Sequence, residues 1–278
     1  MSKPIKPLTN EELKAKAPSL FQDQPYHEVS EKYHFIPTID IVENLREQSW
    51  FPVSVSEAGV RDITKDGFQQ HYVRFQNFQD LINPSGNVVE LLLFNSHDRS
   101  KAFTISAGIY RYICSNGLVI ADSVFDSYKI KHLGDRNNDV ENAVARITEV
   151  KPKLLSKIAK FESIKLNKSE KEAFMQSALP LRFENHLELD NPNDLLNPLR
   201  AEDTKDDLYT TLNVLQENLL SSKISGYNKD TGRRFTSKEI TSISKDVEIN
   251  KGLWDIAERI ASIKDSSYAL AAWGTIWN

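Results

Sequence analysis

Cysteine is almost absent: one residue, Cys114, in a chain of 278. A single thiol excludes an intramolecular disulfide framework and suits a reducing, cytoplasmic setting. Long apolar runs are absent too. No stretch approaches the roughly 20 residues that a membrane-spanning helix needs, and the opening MSKPIKPLTNEELKAKAP lacks the apolar centre of a signal peptide. No membrane partner is therefore expected. Positive charge is not in excess, with 35 Lys and Arg against 39 Asp and Glu and a formal net charge of -4. That balance argues against broad electrostatic wrapping of nucleic acid and leaves a local basic patch for such contact. The metal-ligating patterns HxH and HExxH are missing, as are clustered cysteines, so no metal and no cofactor is implied. There is no internal repeat and no low-complexity tract. What is present is 40% hydrophobic and 27% charged residues, the composition of a folded chain large enough for one big domain or two modest ones.

Thr9 and Glu12 have capping-box spacing, so a short helix is expected from Asn10, limited by Pro18. Residues 20–37 read as an irregular arm whose aromatics, Phe21, Tyr26, Tyr33 and Phe35, pin it to a core. Thr38 is placed as the cap of a second helix ending near Gln48, with Ile39, Val42 and Leu45 as its buried stripe. From Trp50 the period shortens to that of strands. PVSVSEAGV and HYVRFQNF alternate, Asn83-Pro84-Ser85-Gly86-Asn87 signals a turn, and VVELLLF has the continuous apolar character of a strand buried on both faces. KAFTISAGIYRYICS and GLVIAD read as a hairpin turning at Asn116-Gly117, because both central residues of such a turn need positive φ. SVFDSYKIKHLG alternates again. Helical spacing takes over after Asp139, with Pro152 as a kink, a capping box at Ser169 and Glu172, and a stop at Pro180. NHLELDNPNDLLNPLR reads as a connector. A helix starts at Asp206 with Leu208, Leu212, Leu215 and Leu219 on one face, SGYNKDTGRRFTSK reads as a basic loop, and a last helix covers about 244–263. The expected fold class is α+β. It comprises an N-terminal arm and short helices (1–49), a central antiparallel sheet of five or six strands (about 50–133), a helical half packed on one face (134–263) and an apolar tail (264–278), all within one domain.

Eight segments carry a resemblance in order: VRD at 60–62, HYVRF at 71–75, FNSHDRSKAF at 94–103, GIYRYICSNGLVIADS at 108–123, IKHLG at 130–134, QENLL at 216–220, GRRFTSKEITSI at 232–243 and INKGLW at 249–254. Over roughly residues 9–263 the chain resembles the domain-of-unknown-function 932 family, the phage/plasmid-like proteins. It is especially similar to members from cryptic prophages of enteric bacteria. The resemblance implies a setting on mobile elements and carries no activity or site. In that pattern NSHD is usually followed by glycine, and here Arg99 stands at the corner where glycine would allow positive φ.

Two kinds of chemistry fit the residues. His71, His97, Asp98 and Asn116, with His132 as a further histidine, compose a candidate hydrolase or nuclease centre. Neighbouring strand residues face opposite ways, so His97 and Asp98 serve one site only from a turn. The plainer reading has Asn95, Ser96 and Asp98 bonding a tight turn that His97 pins, and Cys114 as a buried thiol. The other chemistry is recognition of single-stranded or branched DNA by a non-enzymatic accessory of DNA metabolism. Arg74, Arg111, Arg233 and Arg234 would take phosphate, Tyr72, Tyr110 and Tyr112 would stack bases, and the lysines of 151–168 would line the groove. Against it, charges on strand and helix faces are usually just solvated. The tail, with Tyr268, Leu270, Trp273, Ile276 and Trp277, packs on its own core or docks on a second copy or a host protein. The host-protein case would make the chain an anti-defence protein.

Overall fold

Thr9 and Glu12 form a complete capping box and start α1 (Asn10–Lys16); a 3-10 turn follows from Pro18. The computed structural model describes residues 5–29, 35–60, 62–83, 86–111, 116–119, 128–129, 136–221 and 223–274, with backbone only at 116–119, 128–129, 136–140 and 266–274. The second helix, α2 (Thr38–Glu47), is capped by Pro37 without a side-chain bond, not by Thr38. The Thr38 hydroxyl is buried and engaged elsewhere, with His71 and Asn95. The fold is α+β.

Strands β1 (Trp50–Glu57), β2 (His71–Asn77), β3 (Asn87–Asn95), β4 (Thr104–Arg111), β5 (Asn116–Val119) and β6 (Tyr128–Lys129) make one antiparallel sheet. The order is β1-β2-β3-β4-β5, with β6 pairing the other end of β4. A one-turn helix, α3 (Phe78–Ile82), interrupts the β2–β3 connection and is capped by Asn77. Alternation sorts the side chains. Val55, Val73, Leu93 and Ile105 form one cross-strand row, and Pro52, Phe75, Leu91 and Ala107 the next. On this face Val73, Phe75, Leu91, Leu93 and Ile105 are fully sealed from solvent, as are Leu13, Leu20, Val42 and Leu45 of the N-terminal helices. At about 25 cal/mol per Å² of apolar surface, this face is the main source of the sheet's stability. The expected Asn116-Gly117 turn is corrected. Asn116 pairs with Arg111 and Gly117 with Tyr110, so both belong to the ladder. Burial of the Tyr110 ring opposite a residue without a side chain fixes that register.

Arg99 is in the left-handed region at φ +65° and is exposed. A non-glycine residue there costs roughly 1–2 kcal/mol, partly offset because glycine adds about 0.5–1 kcal/mol of unfolded-chain entropy. Arg99→Gly is accordingly expected to raise stability by up to about 1 kcal/mol in urea unfolding; a lower midpoint would show that the arginine side chain holds the corner.

The chain divides into two compact units, Met1–Leu154 and Leu155–Asn278. Helix α4 (Arg136–Ser163) continues through Pro152 and buries Ala143, Ile147, Val150, Leu154, Ile158 and Phe161 at helical spacing. In the second unit α5 (Lys168–Ala178) starts two residues before the expected Ser169 box, capped by Asn167 with Glu170. Helix α6 (Leu208–Leu220) is capped by Asp207 and is buried nearly all round. It packs on α7 (Ile243–Gly274), which supplies Ile249, Leu253 and Trp254 to the core and continues past the expected end near residue 263. The side chains of the tail lie outside the described residues. The connector and the basic loop are not loops throughout: β7 (Leu187–Leu189), β8 (Ser225–Asn228) and β9 (Arg234–Thr236) form a three-stranded antiparallel sheet. Gly226 permits it, since a Cβ there would stand 2.1 Å from the Glu188 carbonyl oxygen. No helix among the described residues is long and apolar enough to cross a membrane.

Candidate functional site

Three places gather polar chemistry. The first is the His71 end of the sheet. His71 opposes Asn95 across β2–β3, so both point to the apolar face. A buried imidazole needs partners, and His71 has them: Nδ1 lies 2.8 Å from the Ser19 hydroxyl and Nε2 2.8 Å from the Thr38 hydroxyl. Asn95 donates to the same Thr38 oxygen at 2.9 Å. The His97 ring lies 5.2 Å from that of His71, centroid to centroid, and 4.7 Å from that of Phe35. Although fully buried, neither ring nitrogen of His97 has a hydrogen-bond partner among the described residues. Burial, reinforced by the neighbouring His97, pushes His71 down to about 3. Burial also pushes His97 down to about 4, against the pull of the Ser19 carbonyl and Asp98. Both rings are thus neutral near pH 7. Asp98 turns away from them: it accepts from the Ser100 amide at 2.9 Å and lies 3.6 Å from Lys65. Burial alone would raise its carboxyl, but the Ser100 bonds and Lys65 hold it below the usual range. Asn116 is not part of this group. It pairs with Arg111 beside Asn87, eight residues along β3 from Asn95, about 27 Å at the usual rise per strand residue. The structure therefore unites His71 and His97 with Ser19, Thr38 and Asn95, and leaves Asp98 and Asn116 apart. A Ser–His contact inside a sealed core, with a base this weak, fastens the N-terminal arm onto the sheet.

The second place is the other sheet face. Arg74 donates to Glu90 in bidentate fashion, Nε to Oε2 at 2.6 Å and Nη2 to Oε1 at 2.9 Å, and Gln76 adds a third bond at 2.8 Å. The Arg74 guanidinium lies 4.6 Å from the Tyr110 ring centroid. Burial would depress this guanidinium, yet the Glu90 charge, with Tyr72 and Tyr110, carries it above its ordinary value. Tyr110 is buried on this face and Tyr72 stacks on Phe94 at 4.5 Å; Arg111 is also buried but alternates to the apolar face with Ile109 and Ala107, and Tyr112 lies outside the described residues. The geometry gives Arg74, Arg111 and Tyr110 internal partners and internal positions. The lysine row of α4 is similarly engaged: Lys151 with Asp80, Lys153 with Glu149, Lys157 with Glu258 and Lys160 with Asp265.

The third place is the β8–β9 hairpin of the second unit. Asn228 builds its turn by accepting from the Asp230 and Thr231 amides at 2.9 and 3.0 Å, and Gly232 supplies φ +65°. Arg182 holds the hairpin's base, donating to Ser221 and Lys238 carbonyls at 2.6 Å each and to that of Leu219. Lys223, Lys229, Arg233, Arg234 and Lys238 are all exposed. Among them Arg234 pairs with Asp190 at 2.5 Å; the other four have no ion-pair partner among the described residues.

The family model described as Domain of unknown function (DUF932) matches residues 25–254. The chain belongs to this family. Two similar curated proteins are UPF0380 protein YafZ and UPF0380 protein YfjQ of Escherichia coli (strain K12), each 30% identical over 255 residues that cover 92% of either chain. No solved structure matches. The DUF932 span takes in His71, the Asn95–Asp98 corner and the basic hairpin, while Ser19, which fastens to His71, precedes it. Ser19, Glu90 and Asp190 were not singled out from sequence, and Thr38 was read only as a helix cap. Glu90 alone carried a signal: a carboxylate inside VVELLLF, a run otherwise apolar, requires a cation on the adjoining strand.

Proposed function

We propose that this DUF932 protein is a nucleic-acid-binding accessory that grips single-stranded DNA through the β8–β9 hairpin. One observation carries the reading. Between Lys223 and Lys238 the chain presents five exposed cations on a turn braced by Arg182, with Asp230 as the sole carboxylate. An exposed ion pair such as Arg234–Asp190 is worth little by itself, so a phosphate competes for Arg234 at small cost. Tyr227 opposes Arg234 across the ladder and puts a half-buried ring on the same face, the combination of cation and aromatic that suits an unpaired strand. The protein's net negative charge keeps such contact local.

The test is anisotropy with a labelled single-stranded oligonucleotide across a salt series. Binding is expected at low salt and weakens as salt rises. Arg233→Ala with Arg234→Ala removes two phosphate contacts, so the salt slope is expected to shrink by about 1.4 and affinity to fall at least tenfold. No binding at low salt, or unchanged affinity in the double variant, rejects the hairpin as the contact.

A further inference from the structure

Beside the hairpin, within the second unit, lies an open cleft of about 580 Å³, a size that holds one nucleotide. Its walls include Asp190, Asp194, Leu199, Asn218 and Lys223. The Arg234–Asp190 pair ties the cleft to the hairpin. Asp194 is the best-prepared group. Its Oδ1 accepts from the Asn191 amide at 2.7 Å and from the Asn197 amide at 3.2 Å. Its Oδ2 takes no hydrogen bond among the described residues, so two donors aim one carboxylate oxygen and leave the other as an acceptor. Lys223 sits on the rim with its backbone at φ +77°, an uncommon conformation for a side-chain-bearing residue, found disproportionately at ligand clamps. Leu199 is 62% exposed and offers an apolar surface to a ring.

We infer that this cleft takes one nucleobase carrying an exocyclic amino group, with the amino group donating to Asp194 Oδ2 and the base's phosphate on Lys223. The inference rests on the strand-binding reading and extends it. A carboxylate accepting from the cytosine N4 amino group is an established pairing. Thymine presents a carbonyl at that edge and would face Asp194 oxygen to oxygen. When the strand's phosphate draws Arg234 away, Asp190 becomes a second acceptor on the same wall.

The experiment compares labelled oligo-dC with oligo-dT of equal length, and follows dCMP titration by amide chemical shifts. The wild-type protein is expected to bind oligo-dC at least fivefold more tightly, with dCMP shifts centred on residues 190–199 and 223–225. Asp194→Asn keeps an Oδ1 acceptor for Asn191 and Asn197 and converts the open acceptor to a donor, so it is expected to reverse the preference toward oligo-dT. Lys223→Ala is expected to weaken both oligonucleotides while leaving their ratio unchanged. Equal binding of dC and dT by the wild-type protein, or an unchanged ratio in Asp194→Asn, overturns the cleft assignment while leaving the hairpin reading intact. Absence of any strand binding overturns both readings, unless dCMP still shifts the cleft residues, in which case the cleft stands as a mononucleotide site and the hairpin alone is rejected.

Discussion

Arg74→Ala is expected to lose about 3–5 kcal/mol of stability, seen as a fall in denaturant midpoint at unchanged slope. Glu90 has no solvent exposure, and the Arg74 side chain retains 13%. Removing the guanidinium deletes two hydrogen bonds, of 2.6 and 2.9 Å, and leaves the carboxylate with Gln76 as its remaining donor among the described residues. Glu90 is sealed from solvent, and no second cation among the described residues pairs with it. The pair itself is worth far less than this loss, because bringing both charges out of water costs nearly what their attraction returns. The double variant Arg74→Met with Glu90→Leu is therefore expected to recover most of the stability. A loss below about 1 kcal/mol for Arg74→Ala would mean that water reaches Glu90 and that this face is open. Recovery in the double variant separates an uncompensated charge from a simple loss of packing.

The same pair shows how far the sequence could be read. Alternation in HYVRF correctly places Tyr72 and Arg74 on one face and His71 and Val73 on the other. Period two tells which residues share a face and says nothing about which face is wet. That is decided by what covers the sheet, a tertiary fact. The six sheet strands, α1, α6 and the Leu208–Leu219 stripe were legible because hydrophobic period and caps are local signals. The three-stranded sheet was not, because β7 and β9 have three residues each and β7 meets β8 only across some forty positions of sequence. Thr38 and Ser169 were misplaced as caps for a related reason. Hydroxyls serve caps and cores alike, and Thr38 is held by His71, far along the chain. At the candidate site, the two arginines of the hairpin were legible as a basic Gly-containing segment. Asp194 and the cleft were not, since the cleft forms only when residues near 190–199 meet those near 218–225.

Acidification from pH 6.5 to pH 5 is expected to remove about 3 kcal/mol of stability, well above the range in which ordinary carboxylates titrate. The sign follows from the two histidines. Each has a folded pKa below its ordinary value near 6.5, about 3 for His71 and about 4 for His97. The unfolded chain takes up their protons below pH 6.5 and the folded chain does not. Their contribution is therefore fully present above pH 6.5, falls by up to 1.4 kcal/mol per histidine per pH unit, and is exhausted as the folded values are passed. The relief available on protonation is smaller than the cost of burial. For His97 it is the pull of the Ser19 carbonyl and of Asp98, whose carboxylate is already engaged with Ser100 and Lys65. For His71 it is the Gln69 carbonyl at 3.3 Å, beside two hydroxyls and the other imidazole. Urea unfolding at pH 7.5, 6.5, 5.5 and 5 measures the slope. His97→Phe is expected to halve the loss over this window and to cost little at pH 7.5, because it also removes two buried nitrogens without partners. His71→Phe is expected to cost about 1–3 kcal/mol at pH 7.5 by stranding the Ser19 and Thr38 hydroxyls, a cost that shrinks toward pH 5 because the variant is spared that ring's share of the acid loss. Stability that stays flat between pH 6.5 and 5 in the wild-type protein would mean that water already reaches the two rings, and that Ser19 and Thr38 do not seal them against the sheet.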